Sequence, residues 1–188
     1  MKAAPHLLLI IMAAHAYAHD LASAVFSDRK TLERFIAATD VTVERLSLKI
    51  SPDGTMAGDP GRLSTYTRGE SIAVPQTTAQ ELRTLFTAES SFLWHSELKD
   101  GLRQVKACSP DYGVLIKFRG SAGVVSIALC LKCDLFGVFW GDGDKAFRVN
   151  AEEDFDLIRP QLVALAKRLF PRDATIQSLK PINPNDGT

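Results

Sequence analysis

The stretch GVLIKFRGSAGVVSIALCLKCDLFGVFW, residues 113–140, decides how this chain folds. If Ser121 and Ala122 form the tip of a hairpin, Val114 faces Leu129, Ile116 faces Ile127 and Phe118 faces Val125, gathering six apolar side chains on one face. A one-residue slip would turn them all to the opposite face, so this register checks itself. A second hairpin is predicted around Asp142-Gly143, a dipeptide suited to tight hairpin turns. It pairs Phe136 with Val149 and Val138 with Phe147, and buries Phe136, Val138 and Trp140. The two hairpins disagree in phase, because the first turns odd-numbered residues inward and the second even-numbered ones. Either a β-bulge or short break near Lys132, Cys133 and Asp134 exchanges the faces, or the long strand from Val124 to Trp140 is buried on both sides.

Upstream, Val41 to Ile50 reads as a strand ended by the turn Ser51-Pro52-Asp53-Gly54. Residues 51–63 are rich in Gly, Pro and Asp and lack periodicity, which predicts a mobile surface loop. Tyr66 to Val74 reads as a further strand, closed by Pro75. Ser27 is placed to cap a helix over 28–39 with Leu32, Phe35 and Ile36 at helical spacing. Thr78 and Glu81 form a capping-box pattern for a helix over 78–89, whose stripe is Leu82, Leu85 and Phe86.

A last helix is predicted over 156–170 from Ile158, Leu162, Leu165, Ala166, Leu169 and Phe170. Glu152, Glu153, Asp154 and Asp156 lie at its start, Pro160 falls in its first turn, Lys167 and Arg168 lie at its end, and Pro171 stops it. Residues 90–106 have no assignable period and are expected to pack as irregular structure. Residues 173–179 add a turn, and the tail 180–188 is expected to be disordered. The sum is one α+β domain over residues 19–179, a mostly antiparallel sheet of four to six strands backed by two or three helices.

At the N-terminus, Lys2 precedes the apolar stretch Leu7 to Ala14, and Ala16-Tyr17-Ala18 has the form that signal peptidase cuts after. Residues 1–18 therefore read as a secretory signal peptide, too short in its apolar part to span a bilayer, and the protein is expected in the periplasm or outside the cell. Removal of those 18 residues from the 188 leaves 170, enough for a full core without metals. The whole chain carries 22 basic and 22 acidic side chains without a Lys/Arg run, which argues against nucleic acid as a partner.

The three cysteines, Cys108, Cys130 and Cys133, would meet an oxidising compartment after export. In the hairpin register above, Cys133 falls opposite Pro110 on the inward face, Cys108 projects to that face two positions away, and Cys130 points to the other side. This favours a Cys108–Cys133 disulfide, with Cys108–Cys130 the alternative. The run Cys108-Ser109-Pro110 before Gly113, the return strand with Leu129 to Asp134, and the ending from Asp154-Phe155-Asp156 to Leu169-Phe170-Pro171 resemble a loose group of uncharacterised exported bacterial proteins. Those proteins place a Cys-x-Pro before a hairpin and a Cys-x-x-Cys on its return strand. The resemblance covers the chain from Cys108 onward, implies a bacterial envelope context and brings no activity with it. Ser109 departs from it, standing where the group often has an aromatic residue.

Cys-x-x-Cys invites a redox reading, but here it lies in a strand with no helix N-terminus to lower a thiol pKa. His95 with Cys108, Cys130 and Cys133 has the ligand types of a zinc site, of which Cys-x-x-Cys is half the usual signature. His19, first after cleavage, and His95 offer nitrogen ligands to copper. Asp142-Gly143-Asp144 with Glu153 has the spacing of the ends of a calcium loop, but Ala146 and Phe147 occupy positions that need an oxygen ligand and a glycine. A nucleophile activated by histidine would have to use His95, near Glu97 and Cys108. No catalytic residue or cofactor is assigned on these grounds. The leading expectation is an exported envelope protein acting as a non-enzymatic partner-binding, inhibitor or immunity-type module, its partner another envelope or secreted protein. The alternative is a small metal-binding or thiol-based enzyme using His95 and the Cys108/Cys130/Cys133 cluster.

Overall fold

The computed structural model describes residues 25–92, 111–141, 155–182 and the backbone of 148–150. Helix α1 (Arg29–Ile36) leads into strand β1 (Asp40–Leu48). Strand β2 (Tyr66–Ala73) precedes helix α2 (Gln76–Thr87). Strands β3 (Val114–Gly120), β4 (Gly123–Cys130), β5 (Leu135–Trp140) and β6 (Arg148–Asn150) follow, then helices α3 (Arg159–Leu169) and α4 (Ala174–Gln177). The strands form one antiparallel sheet in the order β2-β1-β3-β4-β5-β6, giving a single α+β domain.

The first hairpin has the register that its alternation predicts, with Val114 opposite Leu129, Ile116 opposite Ile127 and Phe118 opposite Val125. The expected long strand is instead two strands, because the chain reverses completely at Leu131–Asp134. That reversal resolves the phase conflict without a bulge. Ile127 of β4 lies opposite Val138 of β5, and Leu129 opposite Phe136, so odd residues of one strand share a face with even residues of the next. Residues 125–130 and 135–139 are buried on both faces of the sheet.

The predicted β5–β6 register is off by one. Phe136 pairs with Asn150 and Gly137 with Val149, while the turn at Asp142-Gly143 lies outside the described residues. Trp140 is also not buried as expected. It is 37% exposed at the end of β5, with the Arg34 guanidinium carbon 3.3 Å from its ring centre, a cation–π contact.

One face of the sheet carries Val43, Ile116, Phe118, Ile127, Phe136 and Val138, covered by α1, α2 and α3. Phe35 of α1 anchors this layer, its ring 4.3 Å from that of Phe118 and 4.7 Å from that of Phe26, contacts worth about 0.5–1.5 kcal/mol each beyond area burial. The opposite face is smaller and holds Leu46, Leu63, Tyr66, Tyr112, Leu115, Cys130, Leu135 and Phe139.

Two helix starts differ from their predicted caps. Asp28, not Ser27, caps α1, its Oδ1 accepting the Thr31 N–H at 2.7 Å, and Ser27 takes the left-handed conformation at φ 69°. An Asp carboxylate at that point accepts an orphan N–H and faces the helix dipole, which Ser27, one residue too early, cannot do. α2 begins at Gln76, two residues before the predicted start, so Thr78 is buried inside the helix and the capping box does not form. The last helix begins as a 3-10 turn at Asp156–Ile158 and continues as α3 with Pro160 in its first turn. The predicted turn after Asp173 is α4, capped by Asp173 Oδ1 accepting the Ile176 N–H at 2.9 Å.

Candidate functional site

The cysteine corner is built by the reversal between β4 and β5. Cys130 ends β4, and its carbonyl accepts the N–H groups of Cys133 at 3.3 Å and Asp134 at 2.9 Å. Asp134 closes the turn in the left-handed conformation at φ 58°, which aspartate tolerates better than most side chains. Its carboxylate is fully buried against Arg159 at the start of α3. Arg159 also donates to the Leu131 carbonyl at 2.8 Å and, through Nε, to the Lys180 carbonyl at 3.1 Å. This buried pair ties the turn to the last helix and the C-terminal segment. Lys132 and Asp111 form an ion pair at the surface.

Cys130 is a buried free thiol whose Sγ accepts the Asp111 N–H at 3.3 Å. Cys133 is half-buried in the turn and packs against the same smaller cluster that contains Cys130. The expected opposition of Cys133 to Pro110 therefore fails, since Cys133 belongs to no strand, and the face argument that separated it from Cys130 fails with it. Cys108, His95, His19, Glu97, Asp142 and Asp144 lie outside the described residues, so the zinc, copper, calcium-loop and histidine-dependent readings fall there. Among the described residues no three His, Cys, Asp or Glu side chains are grouped to hold a metal, and no helix is long and apolar enough to cross a membrane.

Beside the corner, the Tyr66 hydroxyl donates to the Pro60 carbonyl at 3.0 Å and accepts the Tyr112 N–H at 3.2 Å. Burial pushes the Tyr66 phenol up to about 12, against the opposing pull of the Tyr112 N–H. Burial raises Tyr112 above the usual tyrosine range as well, with Tyr66 adding to it.

The segment expected to be a mobile loop has a hydrogen-bonded frame. Lys49 donates its N–H to the Thr65 carbonyl at 2.9 Å and accepts the Ala57 N–H at 3.0 Å, while Ser51 donates to the Thr55 carbonyl at 2.8 Å. Asp53 Oδ1 accepts both the hydroxyl of Thr55 at 2.7 Å and its N–H at 3.0 Å. These bonds, the hydroxyl first, lower the Asp53 carboxyl below its ordinary value. Gly54, at φ 82°, supplies the left-handed position of the turn. Asp59 accepts the Gly61 N–H at 2.8 Å through Oδ1 and the Thr65 hydroxyl at 2.6 Å through its carbonyl, and Leu63 and Tyr66 root the segment in the smaller core.

That frame brings Ile50 and Met56 together as cross-strand partners at the tip, where they are 58% and 39% exposed. Sequence reasoning identified the turn residues but not this pair. Its signal is two large apolar residues flanking Pro52-Asp53-Gly54 at hairpin spacing. Chemically, the cysteine corner holds a thiol with no exposed surface for a substrate to reach, whereas the loop presents apolar surface to solvent on a fixed backbone. No protein-family model, curated protein or solved structure matches the chain.

Proposed function

We propose that this is an exported bacterial envelope protein that acts by binding another envelope or secreted protein, as an inhibitor or immunity-type module. The apolar knob of Ile50 and Met56 docks into a pocket on that partner. The observation that carries this reading is the exposure of two paired apolar side chains on a loop whose backbone is already tied. A rigid loop inserts into a pocket without a large ordering penalty, and a few buried apolar anchors supply most of an interface's affinity. Export is supported by Lys2, the apolar run and Ala16-Tyr17-Ala18, and by the resemblance from Cys108 onward. A Cys108–Cys133 disulfide is part of this proposal, and its support is that Cys130 is the buried free cysteine.

The experiment compares envelope extracts probed with wild type and with the Ile50→Ser/Met56→Ser variant, which leaves the core untouched. A partner retained by wild type and lost by the variant is expected. Equal retention by both proteins would sink the docking mode, and N-terminal sequencing of the exported product that does not begin at His19 would sink the cleavage site.

A further inference from the structure

The knob carries a sulfur that oxidation converts from apolar to polar. The chain has three methionines, Met1, Met12 and Met56, and the first two fall within residues 1–18. Met56 is 39% exposed and belongs to neither apolar core, so its thioether is open to solvent and no interior packing depends on it. The other described sulfurs are less open: the Cys130 thiol is buried, and Cys133 is half-buried and taken by the disulfide proposed above. The backbone around Met56 is held, because the Gly58 N–H donates to the Met56 carbonyl at 3.0 Å and the Ala57 N–H to the Lys49 carbonyl at 3.0 Å. A chemical change at the end of this side chain therefore alters the surface of the knob and leaves the loop that presents it.

We propose that Met56 is an oxidation site at which two-electron oxidants such as hydrogen peroxide weaken the docking of the knob, an inference that rests on the docking role given to Ile50 and Met56 above. The thioether sulfur attacks one peroxide oxygen, the S–O bond forms as the O–O bond breaks, and after proton transfer the second oxygen leaves as water. Sulfur loses two electrons and the peroxide gains them. Methionine sulfoxide reductase reverses the change, two thiols becoming a disulfide while the oxygen departs as water. The energetic effect falls on the complex alone. In the free protein the sulfoxide oxygen faces water, which hydrogen-bonds to it. In a partner pocket shaped for apolar side chains it finds no donor, and its desolvation opposes binding. Ile50 has no group that this chemistry touches and keeps its share of the knob, so oxidation weakens docking without abolishing it.

The test treats the purified protein with hydrogen peroxide, locates the added oxygen by peptide mapping, and compares the envelope proteins retained by the oxidised and untreated forms. One oxygen on Met56 and an unchanged circular dichroism spectrum are expected. Affinity for the retained partner should fall by about 10- to 100-fold, the size set by losing the burial of one apolar side chain. Methionine sulfoxide reductase should restore it. Met56→Leu, which conserves apolar character and volume, should hold the partner before and after peroxide. Oxygen taken up by the folded protein at other residues while Met56 stays reduced would overturn the proposal. So would equal affinity of the oxidised and untreated forms, or a Met56→Leu variant that peroxide weakens as much as wild type. Failure of the docking role itself appears without any oxidant, as untreated wild type and the Ile50→Ser/Met56→Ser variant retaining the same proteins, and it overturns the oxidation effect with it.

Discussion

The hydroxyl of Tyr112 occupies the space that a side chain at position 137 would need. A Cβ built on Gly137 overlaps the Tyr112 hydroxyl and lies 3.0 Å from Cζ and 3.1 Å from Cε2 of Phe139. Gly137 lies in the middle of β5 opposite Ala128, so two small residues on neighbouring strands leave the depression that the Tyr112 ring fills. Gly137→Ala should therefore destabilise by about 1–3 kcal/mol through overpacking. The Tyr112 hydroxyl is buried without a hydrogen-bond partner, so Tyr112→Phe should be neutral or stabilising by up to about 1 kcal/mol. Denaturant titration of both single variants and the double variant checks this, because Tyr112→Phe should recover part of the Gly137→Ala loss. Simple additivity would show that the two groups do not compete for the same space.

Arg159 and Asp134 form a second dependence across the fold, between the β4–β5 turn and α3. Their side chains are 3% and 0% exposed, so removing one leaves the other as an uncompensated buried charge. Arg159→Met and Asp134→Ala should each destabilise by about 3–5 kcal/mol, and the double variant by less than their sum. A loss under about 1 kcal/mol in either single variant would show that the pair is not desolvated as described. Thermal unfolding resolves that difference easily.

Stability should fall steeply in alkali. Both Tyr66 and Tyr112 hold their protons to higher pH in the folded chain than the ordinary 10.0, so above that pH the unfolded chain ionises while the folded chain does not. Their contribution is complete below pH 10 and is lost as pH rises through about 12 for Tyr66, at about 1.4 kcal/mol per pH unit for each phenol. On the acid side, burial pushes the Asp173 carboxyl up, but the Ile176 N–H and Arg45 outweigh it and hold it below 3.8. That contribution is present above pH 3.8 and is lost as the pH falls further. Phenolate absorbance followed with pH, alongside chemical denaturation, checks the alkaline limb. Titration of these phenols near pH 10 with the fold intact would contradict it.

The proposed Cys108–Cys133 disulfide predicts a thiol count. With those two cysteines paired and Cys130 buried, the native protein should react with no thiol reagent on the timescale of surface labelling. Unfolding without reductant should release one thiol, and unfolding with reductant three. Three reactive thiols without reductant would refute the proposed Cys108–Cys133 pairing.

The sequence alone determined the hairpin of β3 and β4, because period-two alternation on both sides of Ser121-Ala122 permits one register that buries six apolar side chains. It also determined the three long helices, whose stripes recur at helical spacing, and the turn chemistry of Pro52-Asp53-Gly54. Tertiary structure decided where local signals were degenerate. Strands buried on both faces have no alternation to mark their ends, so the reversal at Leu131–Asp134 was legible only as a conflict of phase. Thr78 and Ser27 have capping side chains, yet which residue caps a helix depends on where packing starts that helix. The Tyr112–Gly137 fit and the Arg159–Asp134 pair each join residues 25 positions apart. Such contacts exist only once the sheet has brought its strands into register, and no local pattern encodes them.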